Sequence, residues 1–584
     1  MNLVNGEINK ENGLGRQNQY DCSLQCFVCG GVRIFNNRII NSPFQEKQIL
    51  FSQKNKILIA LSGEIHEGAD CKKEFPFVQH DLDLILELYL KKGLRSLNQL
   101  DGLFNCVVLD FNLRKLWILQ DRFMSLDHIY FYDGDKKFVF ANDLKFLLRK
   151  IDKKQVNADC LPSYLKYSYV PSQDTLFRGI HKIPLGKMLV YNFSSADCSL
   201  VPNHYEPDGK RYAEKEETYL ELLDESLHVR LTEGGNKRFG LPLSGGFDTN
   251  LILARILKHR WFKKIRVFTI GSSAQDSELP IVRKIIKEYR KRGLEIELIK
   301  YVVNGHEIND LPQIIFDYSE PITQSGIILR KCLSELMKKH RVDIGILGEG
   351  ADQVFRCGIY RQEIFYKKFR QEDDDSLYRD NQNILFFRHC SNQELGKLLK
   401  QKSLSDPYCH ENPVWVFNNY CLLKQIHLKF NQITVRLPFL NNKLVDFVQE
   451  NCDFSEKKDK QFQKMVVAGV LPDAIFTQLG KKGGTTPSEL LFHNRQYNSR
   501  LFHYLLQSGV VHEYFNVSFI ELLISHLKEE NSPPWLKKHA ADVLLCILGF
   551  VAWHLLFISS DRYLKEEKCT TDLIRLLKSE FPRA

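Results

Sequence analysis

The stretch that most constrains this chain is Ser244-Gly245-Gly246-Phe247-Asp248-Thr249-Asn250. An apolar run, Phe239-Gly240-Leu241-Pro242-Leu243, precedes it. A helical pattern of Leu251, Ile252, Leu253, Ile256 and Leu257 follows. The order is therefore strand, Gly-rich turn, helix. Two glycines let the backbone bend sharply and approach a ligand. The N–H groups of the turn and of the helix start then point at an anion. Ser244 and Thr249 add hydroxyl donors, and Asp248 can hold a hard cation. The spacing G-x-x-x-x-G-K-S/T of another phosphate loop is absent.

Three further segments fit the same kind of site. Val342-Asp343-Ile344-Gly345-Ile346-Leu347 reads as a buried strand and runs into Gly348-Glu349-Gly350-Ala351-Asp352-Gln353-Val354-Phe355. Val435-Arg436-Leu437-Pro438-Phe439-Leu440-Asn441 comes later. Lys481-Lys482-Gly483-Gly484-Thr485-Thr486-Pro487 follows Leu471-Pro472-Asp473-Ala474-Ile475. The first turn resembles the SGGxDS pyrophosphate loop of ATP pyrophosphatases, with Thr249 at the last position. The second segment resembles GEGADELF of asparagine synthetases, and the third their VRxPFLD, with Asn441 in place of the acid. Order and spacing agree for these three. The chain resembles the asparagine synthetase superfamily, in the branch with a degenerate glutaminase that includes β-lactam synthetases and lasso-peptide cyclases. The resemblance covers residues 21–490 and 540–558.

Length and composition are compatible with this. The 584 residues call for two domains or more, and 43% apolar content supports large cores. A net charge of +10 is mild and spread along the chain, which gives no reason to expect a nucleic-acid partner. The basic cluster from Lys287 to Arg292 reads as a solvated helix face. The 15 cysteines are scattered and odd in number, and no secretory signal opens the chain, so reduced thiols and a cytoplasmic location are expected. Cys22, Cys26 and Cys29 have the spacing of an iron–sulfur loop, but the segment alternates like a strand. The apolar run Val543 to Ile558 is short for a membrane span and reads as a buried terminal helix near Trp553, so no membrane partner is expected.

The expected fold class is α/β. Residues 1–20 read as a disordered polar leader. Residues 21–205 are strand-rich, with helical stretches at Leu82–Lys92 and Cys160–Lys166. The expected strands are Gln25–Phe35, Gln48–Leu61, Phe104–Asp110, Lys115–Leu119, His128–Tyr132, Phe138–Ala141 and Lys187–Tyr191. This part resembles the four-layer αββα amidotransferase (Ntn) domain, through Ser62-Gly63-Glu64-Ile65, Asp101-Gly102-Leu103-Phe104, Asp121-Arg122-Phe123 and the run Thr175 to Gly186. Residues 212–584 resemble the doubly wound ATP-pyrophosphatase synthetase domain with extra helices. Residues 360–420 carry no motif that can be placed.

Glutamine-hydrolysing members begin Met-Cys-Gly, and the freed Cys attacks the amide. Here the chain reads Met1-Asn2-Leu3, and Cys29-Gly30-Gly31 would imitate the motif only after cleavage. Ser62 stands where the family has the oxyanion-holding Asn. The expectation is an N-terminal domain that makes no ammonia. The resemblance implies ATP and Mg²⁺ as cofactors. Ser244, Gly245, Gly246 and Thr249, preceded by Leu243, would cradle the pyrophosphate. Ile270, at the strand end Phe268–Gly271, and the backbone of Leu347 and Gly348 would hold adenine and ribose. Asp248 and Asp352 would share Mg²⁺. Glu349 is the candidate base or amine-orienting carboxylate, Lys481 or Lys482 the oxyanion-stabilising cation, and Tyr360 a β-lactam-synthetase-like tyrosine.

The function so implied is an amide-forming synthetase. It adenylates a carboxylate, releasing pyrophosphate, and lets an amine capture it, in peptide macrocyclisation or other specialised metabolism. Partners would be a small carboxylate or a peptide substrate, with a precursor peptide and its protease for a macrocyclase. The alternatives are an asparagine synthetase using free or externally supplied ammonia, and a silent scaffold of the same fold.

Overall fold

A computed structural model describes residues 2–9, 18–21, 26–29, 32–38, 49–66, 74–78, 80–161, 164–165, 168–170, 173–203, 205–207, 209–232, 237–272, 278–303, 306–323, 325–355, 431–453, 456, 460–479, 492, 495–532 and 534–559.

The N-terminal part contains two antiparallel sheets. One runs in the order His181–Lys182, Tyr130–Asp133, Lys137–Ala141, Asn2–Asn9, Val32–Arg38, Cys26–Cys29, Asn18–Asp21. The other runs Asp197–Pro202, Lys187–Asn192, Lys115–Gln120, Gly102–Asp110, Ile57–Ile65, Ile49–Ser52. The continuous apolar run of Ile57–Leu61 has a simple cause: the strand is covered on both faces. Leu58 and Ala60 point into the core between the sheets with Val107, Ile118, Phe138 and Phe140. Ile57, Ile59 and Leu61 point the other way, onto Leu82, Ile85 and Leu88 of the helix Asp81–Lys92. The outer face of the first sheet carries Val139 and Ala141. It packs against Leu144, Leu147, Tyr164 and the C-terminal helix Pro534–Phe557. Helix, sheet, sheet, helix is the expected layering, and part of the last layer is supplied from the far end of the chain.

Two expectations are corrected here. Residues 2–9 are not a leader: Asn2–Asn9 is an interior strand, paired with Lys137–Ala141 on one side and Val32–Arg38 on the other. Its stability comes from backbone pairing to segments far along the chain, and a polar sequence gives little periodicity to reveal that. As the alternation implies, Cys26 and Cys29 lie on a strand, registered against Phe35 and Val32. Gln25–Phe35 and Gln48–Leu61 are each two hairpin strands rather than one.

The C-terminal part is built on a five-stranded sheet with the order Glu295–Val303, Lys264–Ser272, Phe239–Pro242, Ile344–Ile346, Thr434–Arg436. Every neighbouring pair is parallel. Numbered along the chain, this is the doubly wound order, which reverses between Phe239–Pro242 and Ile344–Ile346. Ligands bind at that reversal, beyond the carboxyl ends of the strands. Leu241, Leu251, Ile252, Val267, Ile285, Ile346 and Val435 fill the core beneath. The apolar window Ala540–Phe557 is 89% buried within the fold, the place of a core helix.

Candidate functional site

The Gly-rich turn sits at the reversal point. Phe239–Pro242 ends, Leu243 donates its N–H to the Phe268 carbonyl at 2.8 Å, and the helix Phe247–His259 begins after Gly246. Ser244 Oγ accepts the Gly246 N–H at 3.1 Å. The buried Asn250 amide donates to the carbonyls of Ser244 (3.1 Å) and Gly246 (2.7 Å). The Asn250 backbone carbonyl accepts the Tyr289 hydroxyl at 2.8 Å. The turn is thus fixed from inside the fold, leaving the helix start to face outward. Ile270 and Leu347 lie at the same edge of the neighbouring strands.

Gly348 lies against this turn. A Cβ on it would stand 3.0 Å from Thr249 Cγ2 and 3.2 Å from Asp248 Cβ, so only glycine lets the two segments meet this closely. Gly350 has φ +100°, and a Cβ there would stand 2.6 Å from Leu440 Cγ. That close approach brings the acidic segment Glu349–Asp352 beside the turn on one side and the 437–440 segment on the other.

Asp248 and Asp352 converge as expected, and a lysine lies between them. Lys460 Nζ is 2.7 Å from both Asp248 oxygens and 2.6 Å from Asp352 Oδ1. Burial opposes the Lys460 charge, but the two carboxylates override it and hold its pKa above the ordinary lysine range. Burial, with the Asp352 carboxylate, pushes Asp248 up, and Lys460 pulls it back. The fully buried Gln463 and Tyr219 face the same carboxylate. An ammonium between two carboxylates marks a position where a cation is wanted. Two aspartates, one of them half-exposed, suit Mg²⁺, which keeps waters and takes few protein carboxylates.

Glu349 is engaged by Arg330 Nη2 on the helix Ser325–Lys339, so its carboxylate is already oriented by a cation. Tyr360, Lys481 and Lys482 lie outside the described residues, as do Gly483 to Pro487 and residues 360–420. Sequence reasoning missed Lys460. Its only signal is a lysine opening an amphipathic helix, Gln461–Val470, whose buried side is Phe462, Val466 and Val467.

The third segment forms the wall under the acidic loop and ties the two halves together. Leu347 donates its N–H to the Arg436 carbonyl at 3.1 Å. Arg436 forks onto Glu64 of the N-terminal half, at 3.1 and 3.4 Å. Fully buried Arg230 donates to Asp101 (2.9 Å), to Ser226 Oγ (2.8 Å) and to the Leu440 carbonyl (3.3 Å). Asn441 caps the helix Asn442–Asn451 by accepting the Leu444 N–H at 3.1 Å, and donates to Asp101 at 2.9 Å. An aspartate could cap as well, but only the Asn amide can also donate to Asp101.

Residues 218–555 match the asparagine synthase family, more than half of the chain. The chain belongs to the asparagine synthase family. Residues 26–204 match the glutamine amidotransferase domain family. "Asparagine synthetase [glutamine-hydrolyzing] 1" of Bacillus subtilis is 20% identical over 570 residues, covering 87% of each chain. "Putative asparagine synthetase [glutamine-hydrolyzing] 2" of Methanocaldococcus jannaschii is 25% identical over 310 residues, which are 51% of this chain and 58% of that one. The chain thus spans little more than half the length of the latter relative. "Asparagine synthetase, nodule [glutamine-hydrolyzing]" of Pisum sativum is 26% identical over 356 residues, 57% of this chain and 53% of that one.

Proposed function

We propose that this asparagine synthase family member is an ATP-dependent carbon–nitrogen ligase that activates a carboxylate as its adenylate, releases pyrophosphate and passes the acyl group to an amine. The observation that carries this reading is the meeting of Asp248, Asp352 and Lys460 beside the Ser244–Gly246 turn at the sheet's reversal point. The turn N–H groups and the start of helix Phe247–His259 receive the phosphates. Lys460 meets the charge that develops on the leaving pyrophosphate, a charge larger in the transition state than in bound ATP. Mg²⁺ held by Asp248 and Asp352 supplies charge neutralisation and alignment of the leaving group. Leu243, Ile270, Leu347 and Gly348 line the edge where adenine and ribose lie. Glu349, held by Arg330, orients the incoming amine.

The same reading makes the amine independent of glutamine. Ser62 replaces the oxyanion-holding Asn of the resembling motif, and Asn2 stands where the attacking Cys is required. The amine then comes with the acyl substrate, as in macrocyclisation of a precursor peptide released by a partner protease, or from another specialised metabolite. The Lys481–Pro487 segment, with its β-lactam-synthetase-like ending, supports that branch. The buried thiols Cys106, Cys332 and Cys546, which form no disulfide, suit the reducing cytoplasm. A second reading is asparagine formation from aspartate and ammonia; the names of the similar relatives favour the asparagine product, with glutamine hydrolysis as the nitrogen source.

One experiment separates these readings. The full chain is incubated with ATP, Mg²⁺ and aspartate, with either glutamine or ammonium. Glutamate release above the no-enzyme background overturns glutamine independence. Asparagine formed from ammonium alone selects the second reading. Neither product, together with turnover of a peptide or amino-acid carboxylate, supports the first.

A further inference from the structure

We propose that Glu64, in the N-terminal domain, is a positioning residue of the nucleotide site, acting through Arg436 on the backbone of Leu347 and the Gly348–Asp352 segment. Glu64 touches no residue assigned to ATP. Its influence runs through two bonds. Arg436 Nε and Nη2 grip both Glu64 oxygens at 3.1 and 3.4 Å, and the guanidinium side chain is only 3% exposed. The Arg436 carbonyl in turn accepts the Leu347 N–H at 3.1 Å, the last such link before Gly348.

Several features make this path specific. The remaining Arg436 nitrogen, Nη1, donates to the Arg230 carbonyl, so the guanidinium has no freedom to rotate. His66 Nε2 lies 3.7 Å from Glu64 Oε2, the oxygen that Arg436 Nε also contacts. Among the described residues, the Thr434–Arg436 strand is an edge strand of three residues, paired with Ile344–Ile346. So short an edge strand is weakly held by its own ladder, and a bidentate, largely buried ion pair is the strongest single bond on it. Glu64 itself sits on a strand locked on its other side by nine register pairs to Gly102–Asp110, a rigid support. The N-terminal sheet thus sets the height of the edge strand, and the edge strand sets the acidic loop against the turn at Thr249.

This gives a domain that makes no ammonia a reason to be kept in place. It rests on the preceding reading only for the identity of the nucleotide. The coupling itself is read in the absence of ATP.

The test compares Glu64→Gln with Arg122→Gln in the full chain. Arg122→Gln removes another ion pair across the same interface, to Asp446 at 2.8 Å, with no bond to Arg436. Backbone hydrogen exchange is followed peptide by peptide, and Mg-ATP binding is measured by calorimetry. Glu64→Gln is expected to speed exchange in Leu347–Asp352 by about tenfold or more and to weaken Mg-ATP binding similarly, while the helix Asp81–Lys92 keeps its protection. Arg122→Gln is expected to leave both site readouts unchanged. Glu64→Asp, which keeps the charge, is expected to restore most of the ATP affinity. It also carries the exchange comparison should the Gln variant not fold. Wild-type exchange in Leu347–Asp352 with Glu64→Gln overturns the proposal, and so does an equal effect from Arg122→Gln. ADP as the nucleotide product would instead overturn the adenylation reading and leave the coupling standing.

Discussion

Replacing Lys460 by Met removes the ammonium and leaves two carboxylates facing each other around an apolar side chain of similar length. Contacts at 2.6–2.7 Å give each pair about 6 kcal/mol of gross attraction at an effective dielectric of ~20. Most of this is cancelled by the cost of taking the ions out of water, and Asp352 is half in solvent. Breaking a buried pair on one side typically costs ~3–5 kcal/mol, so the lower end, about 3 kcal/mol, is expected here. The assay is urea unfolding followed by far-ultraviolet circular dichroism, with and without Mg²⁺. Without metal the variant should unfold at clearly lower urea. Adding Mg²⁺ should narrow the gap, because a divalent ion meets the same two carboxylates. Turnover should fall by ~10²–10³ even where stability is recovered, since the ion does not replace the contact to the leaving group. A variant as stable as wild type without Mg²⁺ would refute the reasoning, and so would a gap that Mg²⁺ leaves unchanged.

Gly348→Ala places a methyl 3.0 Å from Thr249 Cγ2, so the two loops must part. Mg-ATP affinity measured by calorimetry should drop by about tenfold, within the ~1–3 kcal/mol of such overpacking, and an unchanged affinity rejects the close-approach argument. Asn441→Asp keeps the helix cap but sets a carboxylate against Asp101. It should cost ~1–3 kcal/mol, and Asp101→Asn should restore it, with additivity of the two changes counting against the contact. Burial holds the His554 pKa below its ordinary value of 6.5. The unfolded chain therefore takes up the proton first, so this stabilisation is complete above about pH 6.5 and is lost as pH falls through the folded value. Thermal melting between about pH 7 and pH 5 should show a shallower loss in His554→Gln than in wild type, and parallel curves would reject it.

The Gly-rich turn was legible because its signal is local: a strand, two glycines and a helix within a dozen residues. The pairing of Asp248 with Asp352 followed from the order of motifs. Lys460 was not legible. It stands 212 positions from Asp248, and its local sequence is that of any lysine at a helix start. Only the convergence of the two halves of the sheet turns it into a buried cation. The same limit applies to Asn2–Asn9, whose strand is specified by partners at 32–38 and 137–141 rather than by its own composition. Asn441 read as a departure from the family pattern, and the partner of its amide, Asp101, lies 340 positions away across the interface. Short apolar runs were enough to place Phe104–Asp110 and Lys115–Leu119, but not to find the turns that divide Gln25–Phe35 and Gln48–Leu61 into hairpins.

The central claim is that this site cleaves ATP between the α- and β-phosphates to activate a carboxylate. Phosphorus NMR of the full chain with Mg-ATP and a panel of carboxylates, amino acids and peptides included, tests this most directly. The account predicts AMP and inorganic pyrophosphate in equal amounts, formed only with an accepted carboxylate and abolished in both Asp248→Asn and Asp352→Asn. ADP and orthophosphate as the products would contradict it.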